Sequence, residues 1–378
     1  MHPRKDPSRR CLLVNQWPAA DLQLWQDARR QGDILEGGGR AARWAAHTVL
    51  KIQKGYGRWL TWHSANGYLT ASATPSERVT RANVAAYVAS LQALNAPYTV
   101  LTRVQELYQA MSAMLPEEDW TWIRRIESRL RRTATPARLK RPRLVPTSEL
   151  GAFGMELMAA ADGSAGGTPL QNAVGYRDGL MIALLAARPL RRRNFSALEI
   201  GRHLEKRGEA HWLCIPSDET KTHEPFEAPI PNELVQPLER YLAIHRPLLI
   251  QRKGRWNRAD ASRPAVDALW ISKGGSAMTE IAIHFRIATL TRARYGRSLS
   301  MHLFRDCLAT SIAIEDPAHV HITKSGLGHS TLRTSERHYN HASSLQASRR
   351  YQAEIIRLRR KLRRSARTDP KETSFPRR

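Results

Sequence analysis

Apolar residues recur at helical spacing through the first third of the chain. Aromatic and aliphatic side chains three and four residues apart predict a helix from Arg43 to Trp62. In Thr80 to Leu94, Val84, Tyr87, Val88 and Leu91 follow the i, i+3, i+4, i+7 pattern, and Thr80 is placed to cap it. Val100, Val104, Leu107, Tyr108 and Met111 repeat the pattern from Thr99 to Leu115. Trp120, Ile123, Ile126 and Leu130 carry a fourth helix from about Glu117 to Arg132. Amphipathic helices with short connections predict a compact bundle over residues 41–132. Residues 1–40 read as a tail with one short helix, ending at Gly37-Gly38-Gly39.

The pattern changes after the bundle. Pro136, Pro142 and Pro146 prevent a continuous helix, so residues 133–146 read as an extended linker. Its Arg138, Lys140, Arg141 and Arg143 make it basic and are candidate DNA-binding residues. A second domain is expected over 147–345, opening with a strongly apolar helix at Tyr176–Ala187. Ser196 to Pro231 alternates like short strands, as SALEIGRHL, HWLCIPS and FEAPIP, separated by polar turns. A helix resumes at Asn232 and is expected to stop near His245, because Pro247 disfavours helical geometry in the residue before it. Two more helices are expected at Thr279–Tyr295 and Ser300–Ile314. In the last segment, 346–378, Tyr351, Ile355, Leu358 and Leu362 form one apolar stripe on an otherwise basic helix. The predicted fold class is mainly α with a small antiparallel β-sheet: a helical bundle followed by a mixed α+β domain.

Charge then narrows the partner. Lys plus Arg total 60 and Asp plus Glu total 34 in 378 residues, a formal charge of +26. An excess this large favours a polyanion, nucleic acid first and an anionic membrane second. No run of eighteen apolar residues occurs, so no membrane span is expected. The N-terminus lacks the apolar core of a signal peptide. Cys11, Cys214 and Cys307 are far apart and odd in number, which points to a reducing cytoplasm and to neither a disulfide framework nor a cysteine zinc site.

The chemistry gathers in the second domain. His302 and Arg305 lie three apart on a predicted helix and share a face. His329 follows Gly328 at a helix end, and Tyr339 comes after another short turn. Upstream, Arg191, Arg192 and Arg193 follow the end of an apolar helix, and Lys221 falls in a turn between predicted strands. Guanidiniums bind phosphate oxygens bidentately and stabilise developing charge. A phenol is a nucleophile, a histidine takes its proton, and a lysine on a mobile turn protonates a leaving oxygen. Together these residues suffice for phosphoryl transfer without a metal. A metal hydrolase built on His319, His321 and His329, with Glu315 and Asp316 near, matches no zinc spacing.

These motifs resemble the tyrosine recombinase, or phage integrase, family. The match lies in RPLR with Arg191, ETKT with Lys221, HLFR with His302 and Arg305, LGHS with His329, and ERHYNHA with Tyr339, across roughly residues 147–345. The region before it is similar to the family's core-binding domain. The family usually reads T-G-L-R with a glutamate three residues on, where this chain has Arg188-Pro189-Leu190-Arg191 and Asn194.

The resemblance implies a site-specific DNA recombinase. Tyr339 would attack the scissile phosphate and form a 3′-phosphotyrosyl link, and a 5′-hydroxyl of another strand would reverse the step. Arg191 and Arg305 would clamp the phosphate. His302 would act as general base and acid, Lys221 as leaving-group acid, and His329 as a hydrogen-bond donor. The covalent link stores the phosphodiester energy, so no cofactor and no metal is expected. The expected partners are double-stranded DNA and further copies of the chain, a dimer per site and a tetramer in synapsis, in a bacterial cytoplasm. Two alternatives remain: a non-catalytic DNA-binding protein of the same fold, and a type IB topoisomerase-like enzyme that nicks and religates.

Overall fold

The computed structural model describes residues 11–137, 141–163, 166–251 and 267–315. His329, Tyr339, Arg138, Lys140 and the C-terminal stretch 346–378 lie outside the described residues, as does the side chain of Arg141. The chain divides into two compact units, residues 1–139 and 140–378.

The first unit contains α1 (Ala19–Arg29), α2 (Ala46–Ala65), the short α3 (Pro75–Arg78), α4 (Arg81–Leu94), α5 (Pro97–Met114) and α6 (Thr121–Thr133). The four expected helices are α2, α4, α5 and α6, and the Thr80 hydroxyl accepts from the Asn83 amide at 3.2 Å, as its cap position predicts. The expected tail behaves differently. Trp17, Trp25, Ala28 and Ala41 are buried in the same core as Tyr56, Trp59, Val104 and Met111. Trp17 meets the Tyr56 ring edge-on with centroids 5.0 Å apart. Asp21 of α1 is fully buried, accepts from the Tyr56 hydroxyl at 2.6 Å and pairs with Arg78. Two tryptophans and a satisfied buried charge make residues 17–41 part of the unit. Their short helix has too few apolar positions for periodicity to announce this.

His63, at the end of α2, is also buried, packed edge-on against Trp59 at 4.3 Å. Burial, and secondarily the Arg78 guanidinium, push its pKa from 6.5 down to about 4. The folded chain thus binds this proton less well than the unfolded chain. The corresponding stability is whole above pH 6.5 and is lost as pH falls through about 4. Urea midpoints followed by tryptophan fluorescence should drop between pH 7 and 4.5, and His63→Phe should shrink the drop. An equal drop in the variant would assign the acid sensitivity elsewhere.

The second unit is built around α8 (Pro169–Ala187), which follows α7 (Thr147–Gly163) and is buried on all sides from Leu180 to Ala186. Gly154 of α7 and Gly179 of α8 let the two helices touch backbone to backbone. A Cβ on Gly179 would lie 2.6 Å from the Gly154 carbonyl oxygen. After the short α9 (Arg192–Ser196) come β1 (Leu204–Arg207), β2 (Ala210–Ile215) and β3 (Phe226–Pro229), an antiparallel sheet in that order. The first strand starts later than SALEIGRHL suggests. Ile200 N–H donates to the Asp267 carbonyl at 2.8 Å, and Leu198 to Ile200 form a separate bridge with residues 267–269.

The helix from Asn232 also departs from expectation. It runs as α10 (Asn232–Arg240), widens into a π turn at Tyr241–His245, and continues as α11 (Arg246–Ile250). Pro247 falls where the π turn passes into α11: the Arg246 amide still donates to the Tyr241 carbonyl, and the next amide in that series is the one proline lacks. The wider turn therefore lets the path continue where a stop near His245 was predicted. The remaining helices are α12 (Glu280–Tyr295), capped by Thr279, and α13 (Met301–Glu315), both close to their predicted bounds. The predicted class, mainly helical with one small antiparallel sheet, is the observed one.

Candidate active site

Three separated elements converge on one cleft in the second unit. Arg191 is the residue before α9, set in extended geometry directly after the end of α8. That turn is held from behind: Phe195 of α9 stacks on Trp270 at 5.0 Å, and the Trp270 indole N–H donates to the Phe195 carbonyl at 2.9 Å. Lys221 comes from the connection between β2 and β3. His302 and Arg305 project from the first turns of α13, His302 exposed and Arg305 buried. Arg191, Lys221, His302 and Arg305 line the same cleft, of about 600 Å³.

The polarity of α13 explains the pairing of its two residues. Met301, Leu303 and Phe304 anchor the helix in the core, and the three-residue step puts His302 and Arg305 on the cleft side. The Arg305 guanidinium donates from Nη1 to the Pro189 carbonyl at 2.7 Å, which ties it to the turn that carries Arg191. Burial, then the Arg191 charge, push its pKa down to about 10, with Asp306 acting the other way. It remains charged at neutral pH. Two guanidiniums close enough to repel, one of them desolvated, favour an anion between them.

The neighbouring arginines differ in surroundings. Arg192 also borders the cleft but is exposed and paired with Glu280 at the start of α12. Arg193 is exposed and is not among the cleft residues. Asn194 is buried, and its side-chain amide donates to the Glu219 carbonyl at 3.1 Å. Asn194 therefore links the arginine turn to the loop that carries Lys221, a supporting contact that an amide makes through its N–H and a glutamate cannot.

Sequence reasoning missed two features. His284 of α12 lines the cleft, and its Nδ1 is buried without a hydrogen-bond partner among the described residues. A single histidine in a helix gives no signal of this. In the first unit, Arg124, Arg125, Arg129 and Arg132 share the exposed face of α6 and line a shallow groove with Thr121 and Ser128. Their three- and four-residue spacing is a signal that could have found the stripe, but the apolar stripe opposite is the stronger pattern. Arg143, by contrast, donates to the Ser298 carbonyl at 2.6 Å, so part of its guanidinium is engaged within the unit.

No family model matches the chain, and no curated protein matches it. Solved structures do resemble it. One is the XerH site-specific recombinase bound to difH substrate in a pre-cleavage complex, with TM-score 0.50 at 15% identity, covering 80% of this chain and 78% of that one. Another is XerH bound to a palindromic difH substrate in a post-cleavage complex, with TM-score 0.52 at 13% identity, covering 92% and 96%. The fold of this chain is that of the tyrosine site-specific recombinases.

Proposed function

We propose that the chain is a site-specific DNA recombinase that cuts and rejoins duplex DNA through a 3′-phosphotyrosyl intermediate. The observation that carries this reading is the meeting of Arg191, Lys221, His302 and Arg305 in one cleft, from elements spread over more than a hundred residues of sequence. A surface that only held DNA would not require a buried guanidinium beside a second one, with an exposed imidazole and an ammonium at its edge.

In the proposed reaction the Tyr339 oxygen attacks the phosphorus and gives its proton to His302. The bond from phosphorus to the 5′ oxygen breaks, and Lys221 protonates that oxygen as it leaves. Arg191 and Arg305 hold the nonbridging oxygens, where charge rises as the phosphorane forms. His329 donates a further hydrogen bond. Rejoining is the same step in reverse, with a 5′-hydroxyl of the partner strand as nucleophile and the tyrosine as leaving group. The proposed organisation is a core-binding domain over 41–132, a linker over 133–146, a catalytic domain over 147–345, and a basic C-terminal segment over 346–378. Exchange between two sites requires a dimer on each and four copies in all. Among the described residues no helix is long and apolar enough to cross a membrane.

The test is covalent capture. The full chain is incubated with a pool of randomised duplexes nicked so that the short fragment bearing the released 5′-hydroxyl diffuses away, and DNA that survives denaturation on the protein is sequenced. A recovered common site, with the adduct mapped to Tyr339, is expected. Repeated failure to form any denaturation-resistant adduct, with binding intact, would reduce the chain to a binding protein.

Binding itself should be strongly salt-dependent. Each phosphate contact contributes a slope of about −0.9 in log affinity against log salt. Replacing Arg124, Arg125, Arg129 and Arg132 with glutamine should make that slope shallower by about one for each phosphate no longer neutralised. An unchanged slope would remove the α6 face from the DNA surface.

A further inference from the structure

We infer that His203 and Glu219 are positioning residues that hold the Lys221 loop in register for proton delivery to the leaving group. The inference rests on the recombinase reading above. His203 belongs to none of the motifs that suggested the reaction, and Glu219 entered them only as a neighbour of Lys221 in ETKT, with no role assigned.

Lys221 itself is exposed, and the residue two positions on, His223, adopts a left-handed backbone with φ of 55°. Such a tip has little of its own to fix it. Order comes from the neck of the loop. The buried Thr220 hydroxyl lies 2.8 Å from the Glu224 carbonyl and 3.1 Å from the Ser217 carbonyl, bringing both arms together. Glu219, two residues before Lys221, is gripped from three sides. Its carbonyl accepts from Asn194, and its carboxylate accepts from Arg202 and from the imidazole of His203.

His203 suits this task because its tautomer is set. The residue is 1% exposed. The Glu199 amide N–H donates to Nδ1 at 3.1 Å, so the ring proton sits on Nε2. Nε2 then donates to the Glu219 carboxylate at 3.0 Å. The backbone of His203 is equally committed, since its carbonyl accepts from the Cys214 amide of β2 at 2.9 Å. One buried ring thus connects the approach to β1 with the neck of the Lys221 loop. Asn194 connects that neck to the turn of Arg191. The phosphate clamp and the proton donor are therefore referenced to one another through Glu219, over a distance that a loose loop would leave undefined.

The leaving group offers a test that a general loss of structure would not pass. With a 5′-bridging sulfur in place of oxygen at the captured site, the phosphorus–sulfur bond breaks and a thiolate departs with the electron pair. A thiol has a pKa near about 8.5, so it leaves without a proton donor. Cleavage rates under single turnover are measured for the full chain, Lys221→Ala, His203→Ala, His203→Gln and Glu219→Ala on both duplexes, together with binding of each. On the oxygen duplex His203→Ala and Glu219→Ala are expected to slow cleavage by about 10- to 100-fold. On the sulfur duplex both should return to within a few-fold of the unaltered chain, as Lys221→Ala should. His203→Gln, whose amide can still donate to Glu219, should lie between.

If Lys221→Ala is rescued by sulfur while His203→Ala and Glu219→Ala stay slow on both duplexes, or are fast on both, the positioning role is wrong and the recombinase reading stands. If Lys221→Ala is itself not rescued, Lys221 is not the leaving-group acid and the inference falls with that assignment. The partly exposed Glu219 keeps the test decisive should the buried His203 variants fail to fold.

Discussion

Tyr339→Phe should bind the captured duplex as tightly as the unaltered chain and form no covalent adduct. The substitution removes one hydroxyl and keeps the ring, so any packing role of the side chain survives. If that hydroxyl is the nucleophile, no other group can replace the bond it makes to phosphorus. The expected loss in cleavage rate is about ten-thousand-fold or more, the scale seen when a nucleophile is removed from a preorganised site. Denaturing gels on the nicked duplex read the adduct directly, and binding at several salt concentrations separates chemistry from affinity. A persistent adduct in the Phe variant would pass the role to another tyrosine, and Tyr351 would be examined first. The result also bears on His302. With the nucleophile gone, an additional His302→Ala should cost nothing further, because the proton it accepts no longer exists.

How much of this was legible in the sequence depended on the range of the interaction involved. Helix α4 announced itself through apolar spacing, because it buries one stripe and exposes most of the rest, and the same spacing marked the more deeply buried α5. The joint position of His302 and Arg305 was equally readable, since a three-residue step on a helix fixes a shared face. What the pattern missed were contacts between distant segments. Trp25 enters the first core, Ile200 pairs with Asp267, and Asn194 meets the Glu219 carbonyl. None of these follows from local periodicity. Pro247 misled for a related reason. The rule about the residue before proline is local, whereas the π turn at Tyr241–His245 is stabilised by Tyr241 packing against Trp270 and donating to the Leu269 carbonyl at 2.9 Å.

The same contrast decides which arginine matters most. Arg305→Ala and Arg191→Ala should each lower the cleavage rate about 100- to 1,000-fold, equivalent to about 3 to 4 kcal/mol of transition-state stabilisation. Arg192→Ala and Arg193→Ala should stay within a few-fold of the unaltered chain. The reason is electrostatic. Arg305 is buried, and its charge, already disfavoured by desolvation and by Arg191, gains most when phosphate charge grows beside it. Arg192 is exposed and already paired with Glu280, so solvent and a carboxylate screen it. Arg193 is exposed and stands outside the cleft lining altogether. The loss should appear in the cleavage step far more than in affinity, since binding draws on many other cations. Arg305→Lys sharpens the point: it keeps the charge and loses the planar fork that can bond Pro189 and phosphate together, so most of the defect should remain. Single-turnover rates at saturating protein, compared with binding isotherms for the same five variants, make the measurement. An active Arg191→Ala beside an inactive Arg192→Ala would move the phosphate clamp one residue along and require the α9 turn to open away from Glu280 when DNA binds.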